Sequence, residues 1–229
     1  MQLVVLDLYG TIIEQGLNQS PVKFVKETLD VKQSFPAYIE QFQTTFQSLR
    51  HKTLEEAFHL VADDFGLNPD DATFETLVGE WNKNALLSEL YDDTEAAIQS
   101  MREDNTVVLA ANVDEFTFRQ IETKFGIRDL FDDAYLSFET GHLKTSEDNM
   151  KRILHDHDVE KHDVLYAGDS MASDIRPAKS FGFQTVLVDR RDTRSRMPRV
   201  QIPPTAFRTA IQLRCYWIEG RGLLSLYEF

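Results

Sequence analysis

The chain has 229 residues, of which 42% are hydrophobic, and its formal net charge is −14. This length accommodates one large α/β domain with an insertion, or two small domains. A chain this acidic repels nucleic-acid backbones and anionic membranes, so we expect neither as a partner. The single cysteine excludes an internal disulfide framework, and the sequence begins without a signal-like segment, so we expect a cytoplasmic protein.

The first predicted elements are a short strand and a helical region. Leu3–Leu6 is a continuous apolar run that ends at Asp7, which is typical of a strand buried on both faces of a parallel sheet. Helical spacing then predicts four helices with no strand between them, the third capped by Thr53 and the fourth by Asp71. These helices cover residues 21–29, 36–49, 54–65 and 71–86. They form an all-helical insertion.

Strands and helices alternate beyond the insertion. The predicted strands are 106–110, 134–137, 164–167 and 184–188, and the predicted helices are 95–102, 115–125, 146–155 and 174–181. This alternation predicts an α/β fold with a doubly wound parallel sheet, in which right-handed crossovers bring the carboxyl ends of the strands to one edge. We therefore predict a core domain formed by residues 1–15 and 88–229, with a helical domain inserted at 16–87.

The end of the chain carries weaker signals. Residues 190–199 are basic and polar, and prolines at 198, 203 and 204 mark irregular backbone. Residues 205–217 are predicted as a final helix, with Cys215 as a small buried side chain. Residues 220–229 carry no functional signal.

Polar residues that carry chemistry stand at or beyond the carboxyl ends of the predicted strands. They are Asp7, Asn112, Lys144, Asp169 and Asp174. Because these strand ends meet at one edge of a parallel sheet, we expect the residues to share a site. A carboxylate nucleophile, a lysine and two cation-binding carboxylates form a reaction centre for an anionic ester. The lysine also supplies the local positive charge that an acidic protein needs in order to hold an anion.

Four segments together resemble the motifs of the haloacid dehalogenase superfamily of hydrolases. The segments are Asp7-Leu8-Tyr9-Gly10-Thr11, Ala110-Ala111-Asn112, Lys144 and Gly168-Asp169-Ser170-Met171-Ala172-Ser173-Asp174. The resemblance extends from residue 1 to about residue 190, and the helical insertion after the first segment is similar to the family's helical cap domain. It implies a Rossmann-like α/β core with an inserted, all-helical cap.

The resemblance implies a role for each residue that contacts the substrate. Asp7 attacks phosphorus and forms an acyl phosphate, which water then hydrolyses. Lys144 offsets charge between that carboxylate and the phosphoryl group. Thr11 and Asn112 bind the phosphoryl group together with the lysine. The implied activity is hydrolysis of a small phosphate ester, so the expected partner is a small phosphorylated molecule.

The resemblance also implies a Mg²⁺ site beside the nucleophile. Its direct ligands are the carboxylates of Asp7 and Asp169 and the backbone carbonyl of Tyr9. Asp174 is a more distant or water-mediated ligand. Mg²⁺ prefers to be coordinated by a few carboxylates, with water molecules completing its shell.

Two positions depart from the family's phosphatase pattern. Tyr9 stands where family phosphatases usually carry a second aspartate as general acid and base, and a tyrosine with an ordinary pKa of about 10 is a poor base at neutral pH. Ala111 stands where a serine or threonine usually ends the second motif, so one hydrogen bond to the phosphoryl group is lost. Together they predict a slow or unusual phosphatase, or a different electrophile.

Two alternative functions remain open from the sequence. A first motif with tyrosine resembles the dehalogenase branch, in which Asp7 attacks a halogen-bearing carbon without metal. The acidic pair Asp169 and Asp174 argues against that branch, as does the absence of arginine between Thr11 and Arg50. The second alternative is a non-catalytic binding protein on the same fold.

The basic segment 50–52 is either a substrate-contacting patch of the cap or a solvated helix end.

Overall fold

The structure, a computed structural model, describes residues 2–190 and the backbone of residues 215–217. The strands in this part of the chain are β1 (Leu3–Leu6), β2 (Ile13–Glu14), β3 (Glu89–Leu90), β4 (Thr106–Ala111), β5 (Asp133–Leu136), β6 (Val164–Gly168), β7 (Gln184–Val188) and β8 (Cys215–Trp217). The α-helices are α1 (Pro21–Thr28), α2 (Phe35–Gln47), α3 (Leu54–Asp64), α4 (Asp71–Leu87), α5 (Thr94–Arg102), α6 (Glu115–Phe125), α7 (Ile127–Leu130), α8 (Ser137–Thr140), α9 (Glu147–His157) and α10 (Arg176–Phe181).

The main sheet has the strand order β5-β4-β1-β6-β7-β8. The first five strands of that order are parallel, and β1 lies at the centre, where Leu6 pairs with Leu109 on one side and with Ala167 on the other. All four residues of β1 are buried, which explains why its sequence is a continuous apolar run rather than an alternating one. The predicted doubly wound α/β fold is confirmed.

The last strand corrects the predicted final helix. β8 pairs antiparallel with β7, with Tyr216 opposite Leu187 and Trp217 opposite Val186. Aromatic side chains favour strands, and the otherwise open edge of β7 offers backbone hydrogen-bonding groups for a strand to join. The helix prediction is therefore wrong for Cys215–Trp217. Residues 205–214 and the predicted burial of the Cys215 side chain lie outside the described residues.

The insertion folds around aromatic rings. α1 to α4 match the four predicted helices to within two residues at each end. The ring of Phe46 packs against three neighbours, with centroid distances of 5.0 Å to Phe42, 4.8 Å to Phe58 and 4.7 Å to Trp81. Phe42 and Phe46 are four residues apart and share one face of α2, which packs against Phe58 of α3 and Trp81 of α4.

Helix caps in the insertion agree with the sequence prediction in one case and differ in the other. Thr53 caps α3, since its hydroxyl accepts a hydrogen bond from the Glu56 amide. Asp70, not Asp71, caps α4 by accepting a 2.9 Å hydrogen bond from the Thr73 amide. Asp70 has the extended backbone that aims a cap side chain at the third helical amide, whereas Asp71 is already helical.

Two chain crossings join the insertion to the sheet. They run side by side as the antiparallel ribbon β2–β3, with Ile13 opposite Leu90. On the other side of the insertion, the Trp81 indole donates hydrogen bonds to Asp114 (3.0 Å) and Thr117 (2.9 Å) at the start of α6. These contacts place the helices over the carboxyl edge of the sheet. None of the helices in the described part of the chain is long and apolar enough to cross a bilayer.

Candidate active site

Asp7 is fixed at the centre of the carboxyl edge by its backbone and its side chain. Its amide donates to the Ala167 carbonyl at 2.9 Å, which extends the β1–β6 pairing one residue past the strand. The Thr11 hydroxyl lies 3.4 Å from Asp7 Oδ2 and donates to it. Asp7 is 4% exposed and Thr11 is fully buried. The turn between them therefore holds the carboxylate in one orientation at the end of the central strand.

Gly10 makes that turn compatible with the neighbouring acidic loop. Its φ is +78°, a left-handed conformation that glycine adopts at little cost. A Cβ at this position would overlap the carboxylate of Asp169. The glycine thus lets the loop after β1 approach the loop after β6 closely enough for their acidic groups to converge.

Lys144 joins the nucleophile candidate to the acidic pair. Its ammonium group lies 2.5 Å from Asp7 Oδ1 and 2.5 Å from Asp174 Oδ1, and the residue is 6% exposed. The side-chain amide of Asn149 donates a 2.9 Å hydrogen bond to the Lys144 carbonyl and so fixes the backbone of Lys144. Burial opposes the charged amine, but the carboxylates of Asp174 and Asp7 raise the pKa of Lys144 well above its ordinary value. The amine is therefore a fixed positive charge at this edge.

Asp174 is presented by a π-helical turn, Met171–Ile175, that precedes α10. The predicted helix began at residue 174, but α10 begins at Arg176, because the Ser170 carbonyl accepts from the amides of both Asp174 and Ile175 and widens the turn. The Ser170 amide donates to Asp174 Oδ2 at 3.0 Å. The widened turn aims a fully buried carboxylate at Lys144.

The three acidic residues form a set that suits a hard cation. Asp7, Asp169 and Asp174 each offer one carboxylate oxygen, and these three atoms all lie within 4.8 Å of one another. Oxygen donors at this spacing fit Mg²⁺ or Ca²⁺. Burial raises the pKa of Asp7 to about 7, Lys144 opposes the shift, and the charges of Asp174 and Asp169 reinforce it. The site thus holds more negative charge than one lysine balances, and a divalent cation would offset that excess.

Asn112 connects the sheet edge to the insertion. Its Oδ1 accepts from the Lys144 amide at 2.7 Å, and its Nδ2 donates to Gln43 Oε1 at 3.2 Å. Gln43 lies on α2, so a residue of the insertion touches the amide group that the sequence predicts for phosphoryl binding. Ala111, just before Asn112, presents only a buried methyl group, as the sequence predicts. No sequence signal pointed to Gln43.

The Tyr9 side chain is unsuited to proton transfer. Its ring packs against the core of the sheet domain and its hydroxyl is buried. Burial raises the pKa of Tyr9 well above its ordinary value, the Ser88 hydroxyl offsets only part of that shift, and the Asp114 charge adds to it. The hydroxyl therefore stays protonated at physiological pH. The role of the Tyr9 carbonyl as a cation ligand stays a prediction.

Arg50, in the basic segment 50–52, packs against the sheet domain. Its guanidinium lies 3.0 Å from the Glu115 carboxylate and 5.0 Å from the centroid of the Phe138 ring. Arg50 thus fastens the junction between α2 and α3 to the helices below it. These contacts assign it an anchoring role, and they do not extend to Asp7 or Lys144.

A cavity of about 410 Å³ opens beside the acidic cluster. Gly10 and Asp169 form the wall nearest the chemistry, whereas Asp7 and Lys144 do not line it. The remaining walls come from the segment that leads into the insertion, from the residue after β3 and from the end of β7. They are Glu14, Gln15, Leu17, Asn18, Ser20, Tyr91, Leu187, Val188, Asp189 and Arg190. The cavity reaches the Asp169 side of the site, and the carboxylate of Asp7 lies deeper.

Comparison with known proteins identifies the family. A family model for haloacid dehalogenase-like hydrolases matches residues 1–182, and the chain belongs to this family of hydrolases. No curated protein matches the chain.

Solved structures show the same fold at low sequence identity. A HAD family enzyme from Bacteroides thetaiotaomicron is 16% identical with a TM-score of 0.59, over 86% of this chain and 97% of that one. A predicted HAD-like family hydrolase from Porphyromonas gingivalis is 19% identical with a TM-score of 0.57, over 82% and 91%. L-2-haloacid dehalogenase from Xanthobacter autotrophicus is 18% identical with a TM-score of 0.50, over 81% and 76%.

Proposed function

We propose that this hydrolase is a Mg²⁺-dependent phosphatase that acts on a small phosphate ester through an aspartyl-phosphate at Asp7. The observation that carries the proposal is the bridge of Lys144 between Asp7 and Asp174, with Asp169 beside them. A nucleophile, a fixed positive charge and a set of hard oxygen ligands converge at the edge where parallel α/β sheets bind ligands. In support, the Bacteroides thetaiotaomicron enzyme has been crystallised with magnesium and inorganic phosphate.

The first step forms a bond between Asp7 and phosphorus. A carboxylate oxygen of Asp7 attacks the phosphorus atom, and the bond from phosphorus to the leaving oxygen breaks. Lys144 holds the carboxylate through Oδ1, and its charge offsets the repulsion between two anions. Asn112 donates to a phosphoryl oxygen, and Thr11, whose hydroxyl donates to Asp7 Oδ2, orients the attacking carboxylate. Water then attacks phosphorus, which releases phosphate and restores the carboxylate.

The acidic groups at this edge would hold the cation. The proposed direct ligands are Asp7, Asp169 and the Tyr9 carbonyl. Asp174 is not proposed as a direct ligand, because its carboxylate pairs with Lys144 and accepts a hydrogen bond from the Ser170 amide. When bound, Mg²⁺ supplies positive charge that draws the phosphoryl oxygens toward the nucleophile. The close approach of Gly10 to Asp169 supports this arrangement, because it brings the loop after β1 against the proposed ligand.

Tyr9 limits the substrates that react quickly. General acid catalysis contributes roughly 10²–10⁴-fold to an enzymatic rate, and a buried tyrosine hydroxyl with a raised pKa does not supply it. The leaving oxygen must then depart with its charge or take a proton from water. We therefore expect a preference for esters with acidic leaving groups, such as aryl phosphates.

Residues 16–87 are proposed as a cap that covers the site. Gln43 of α2 already reaches Asn112, and the Gln47 carbonyl of the same helix accepts a 2.6 Å hydrogen bond from Ser137 at the end of β5. A lid over the carboxyl edge excludes bulk water from the acyl phosphate. The Asn112 amide nitrogen carries two hydrogens, so it can bind a phosphoryl oxygen while it keeps its hydrogen bond to Gln43 of the cap.

Hydrolysis of p-nitrophenyl phosphate tests the proposal. We expect turnover that requires Mg²⁺, is lost with a chelator and is abolished by Asp7→Asn. The matched control is Asp148→Asn, which removes an exposed carboxylate outside the site and leaves the rate unchanged. Turnover that survives Asp7→Asn excludes Asp7 as the nucleophile.

A second candidate function is hydrolysis of a 2-haloacid by the same carboxylate. It is favoured by Tyr9 in the first motif and by the likeness of the fold to the Xanthobacter autotrophicus dehalogenase, whose structure has chloropropionic acid covalently bound. The cluster of Asp7, Asp169 and Asp174 argues for the phosphatase, because a metal-free reaction has no use for it. Release of halide from 2-chloropropionate in the presence of a chelator would favour the dehalogenase instead. A wild-type protein that turns over neither substrate favours a binding function on this fold.

A further inference from the structure

Arg190, two residues beyond the end of β7, forms side-chain hydrogen bonds with two other segments of the chain. Its Nε and Nη2 donate to the Thr11 carbonyl at 2.9 and 2.7 Å. Its Nη1 donates to both carboxylate oxygens of Asp93, at 2.6 and 2.7 Å. The guanidinium carbon lies 4.3 Å from the centroid of the Tyr91 ring. The Arg190 side chain is 7% exposed and that of Asp93 is 33% exposed, so this is a partly buried ion pair in which the guanidinium makes four hydrogen bonds.

The two segments that Arg190 contacts lie where the β2–β3 ribbon meets the sheet, and we call this part the foot of the ribbon. Thr11 precedes β2, and Asp93 follows β3 by three residues. The Ile12 carbonyl also links the two segments, since it accepts hydrogen bonds from the Tyr91 amide at 3.2 Å and from the Thr94 hydroxyl at 2.9 Å. Arg190 therefore ties the end of β7 to the points where the chain leaves the sheet domain and returns to it.

This tie acts on the nucleophile through Thr11. Arg190 holds the backbone carbonyl of Thr11, and the hydroxyl of the same residue donates to Asp7 Oδ2. A residue with its carbonyl fixed and its side chain buried has little freedom to move its hydroxyl. Catalysis is sensitive to such placement, because a misplacement of about 1 Å costs on the order of 10²-fold in rate.

We propose that Arg190 is a positioning residue that sets the Thr11–Asp7 hydrogen bond and stiffens the foot of the β2–β3 ribbon. Lysine does not replace it, since the planar guanidinium reaches Thr11 and Asp93 at once, whereas an ammonium group donates from a single point. Arg190 lies beyond the 182 residues that the family model matches, so the family comparison does not assign it a role. The kinetic part of the inference rests on the proposed phosphatase function.

A double-mutant cycle on turnover tests the kinetic part. We expect Arg190→Met to lower kcat by roughly 10- to 100-fold with a much smaller change in KM. Arg190→Lys keeps the charge and shows a loss in the same direction. Arg119→Met is the matched control, since Arg119 is exposed and pairs with Glu115 one turn away, and its kcat stays within about twofold of wild type.

The cycle with Thr11→Val separates positioning from general damage. If Arg190 acts through the Thr11 hydroxyl, the double variant Thr11→Val/Arg190→Met has the kcat of Thr11→Val alone. Losses that multiply, or an Arg190→Met kcat equal to that of the Arg119→Met control, overturn the inference.

Hydrogen exchange provides a readout that does not depend on activity. The amides of Ile12 and Ile13 bond to the Leu8 carbonyl, and that of Tyr91 bonds to Ile12. Arg190→Met should speed exchange in peptides covering residues 8–14 and 88–94, while Arg119→Met leaves it unchanged. Unchanged exchange in Arg190→Met contradicts the tie. A wild-type protein with no phosphatase activity refutes the proposed function, and this measurement still decides the role of Arg190.

Discussion

The carboxyl edge of the sheet and the interior of the insertion are both buried, but they are stabilised by different forces. The edge encloses Asp7, Lys144 and Asp174, three charged groups whose contacts depend on direction and on each other. The insertion encloses aromatic rings such as Phe46 and Phe58, which pack without charge. Buried charges lose hydration that only a complete set of partners replaces, whereas buried rings gain from leaving water. The edge is therefore built for chemistry and the insertion for stability.

The largest effect is expected from removing the lysine that bridges the two buried carboxylates. Lys144→Met leaves the carboxylates of Asp7 and Asp174 buried without their partner, which should lower the free energy of unfolding by about 3–5 kcal/mol and abolish turnover. Urea unfolding in the presence of a chelator measures the first effect. The control is Lys151→Met, an exposed lysine paired with Glu147, for which we expect almost no change in the free energy of unfolding. Equal losses for the two variants would show that the edge is not a region of coupled charges.

A comparable loss of stability without a loss of chemistry is expected in the insertion. Phe58→Ala removes a fully buried ring and should cost about 3–5 kcal/mol, and Phe58→Leu should cost about half as much or less. The kcat of the folded fraction should stay within about twofold of wild type, since the ring contacts Phe46 and Trp81 rather than Asp7. Urea unfolding paired with kinetics at low temperature checks both. If Phe58→Ala abolishes turnover while folded, the two regions are not separable.

The pH dependence of stability tests the difference between the charged edge and the apolar insertion at a single residue, Asp7. Because the pKa of folded Asp7 is raised to about 7, its carboxyl group stabilises the metal-free fold below about pH 4, and that contribution is lost as the pH rises through about 7. Asp7→Asn should therefore raise the melting temperature in chelator more at about pH 8 than at about pH 5. Mg²⁺ should stabilise the wild type and have a smaller effect on the variant. A stability difference between the two proteins that is the same at both pH values would contradict this.

The smallest effect is expected where the two regions meet on the surface. Arg50→Met removes an ion pair between a half-exposed guanidinium and Glu115, so we expect a loss of no more than about 1 kcal/mol, reduced further by salt. Thermal melts at low and high salt measure it. A loss of several kcal/mol that does not respond to salt would mean that Arg50 belongs to a buried network.

The sequence predicted the parts of the site that depend on strand ends. Asp7 and Asn112 follow buried apolar runs directly, and the parallel arrangement of strands is enough to bring such residues together. Arg190 follows the run 184–188 in the same way, but it begins a basic and polar segment, and the sequence did not predict a role for it.

Other features depend on tertiary contacts that leave no local pattern. Gln43 meets Asn112 across 69 positions of the chain, and Arg190 meets Thr11 across 179. Nothing in the sequence near Gln43 distinguishes it from the other glutamines of α2. The strand Cys215–Trp217 forms because β7 offers an open edge, a fact that exists only after the sheet is built.

Detection of the covalent intermediate shows whether Asp7 is the nucleophile. Wild-type protein mixed with Mg²⁺ and an aryl phosphate is quenched in acid within a single turnover, digested and mapped by mass spectrometry. We expect an acyl phosphate on the peptide that contains Asp7, present in the wild type and missing in Asp7→Asn. A phosphorylated residue elsewhere, or steady turnover of the ester with no modified Asp7 at any time point, would contradict it.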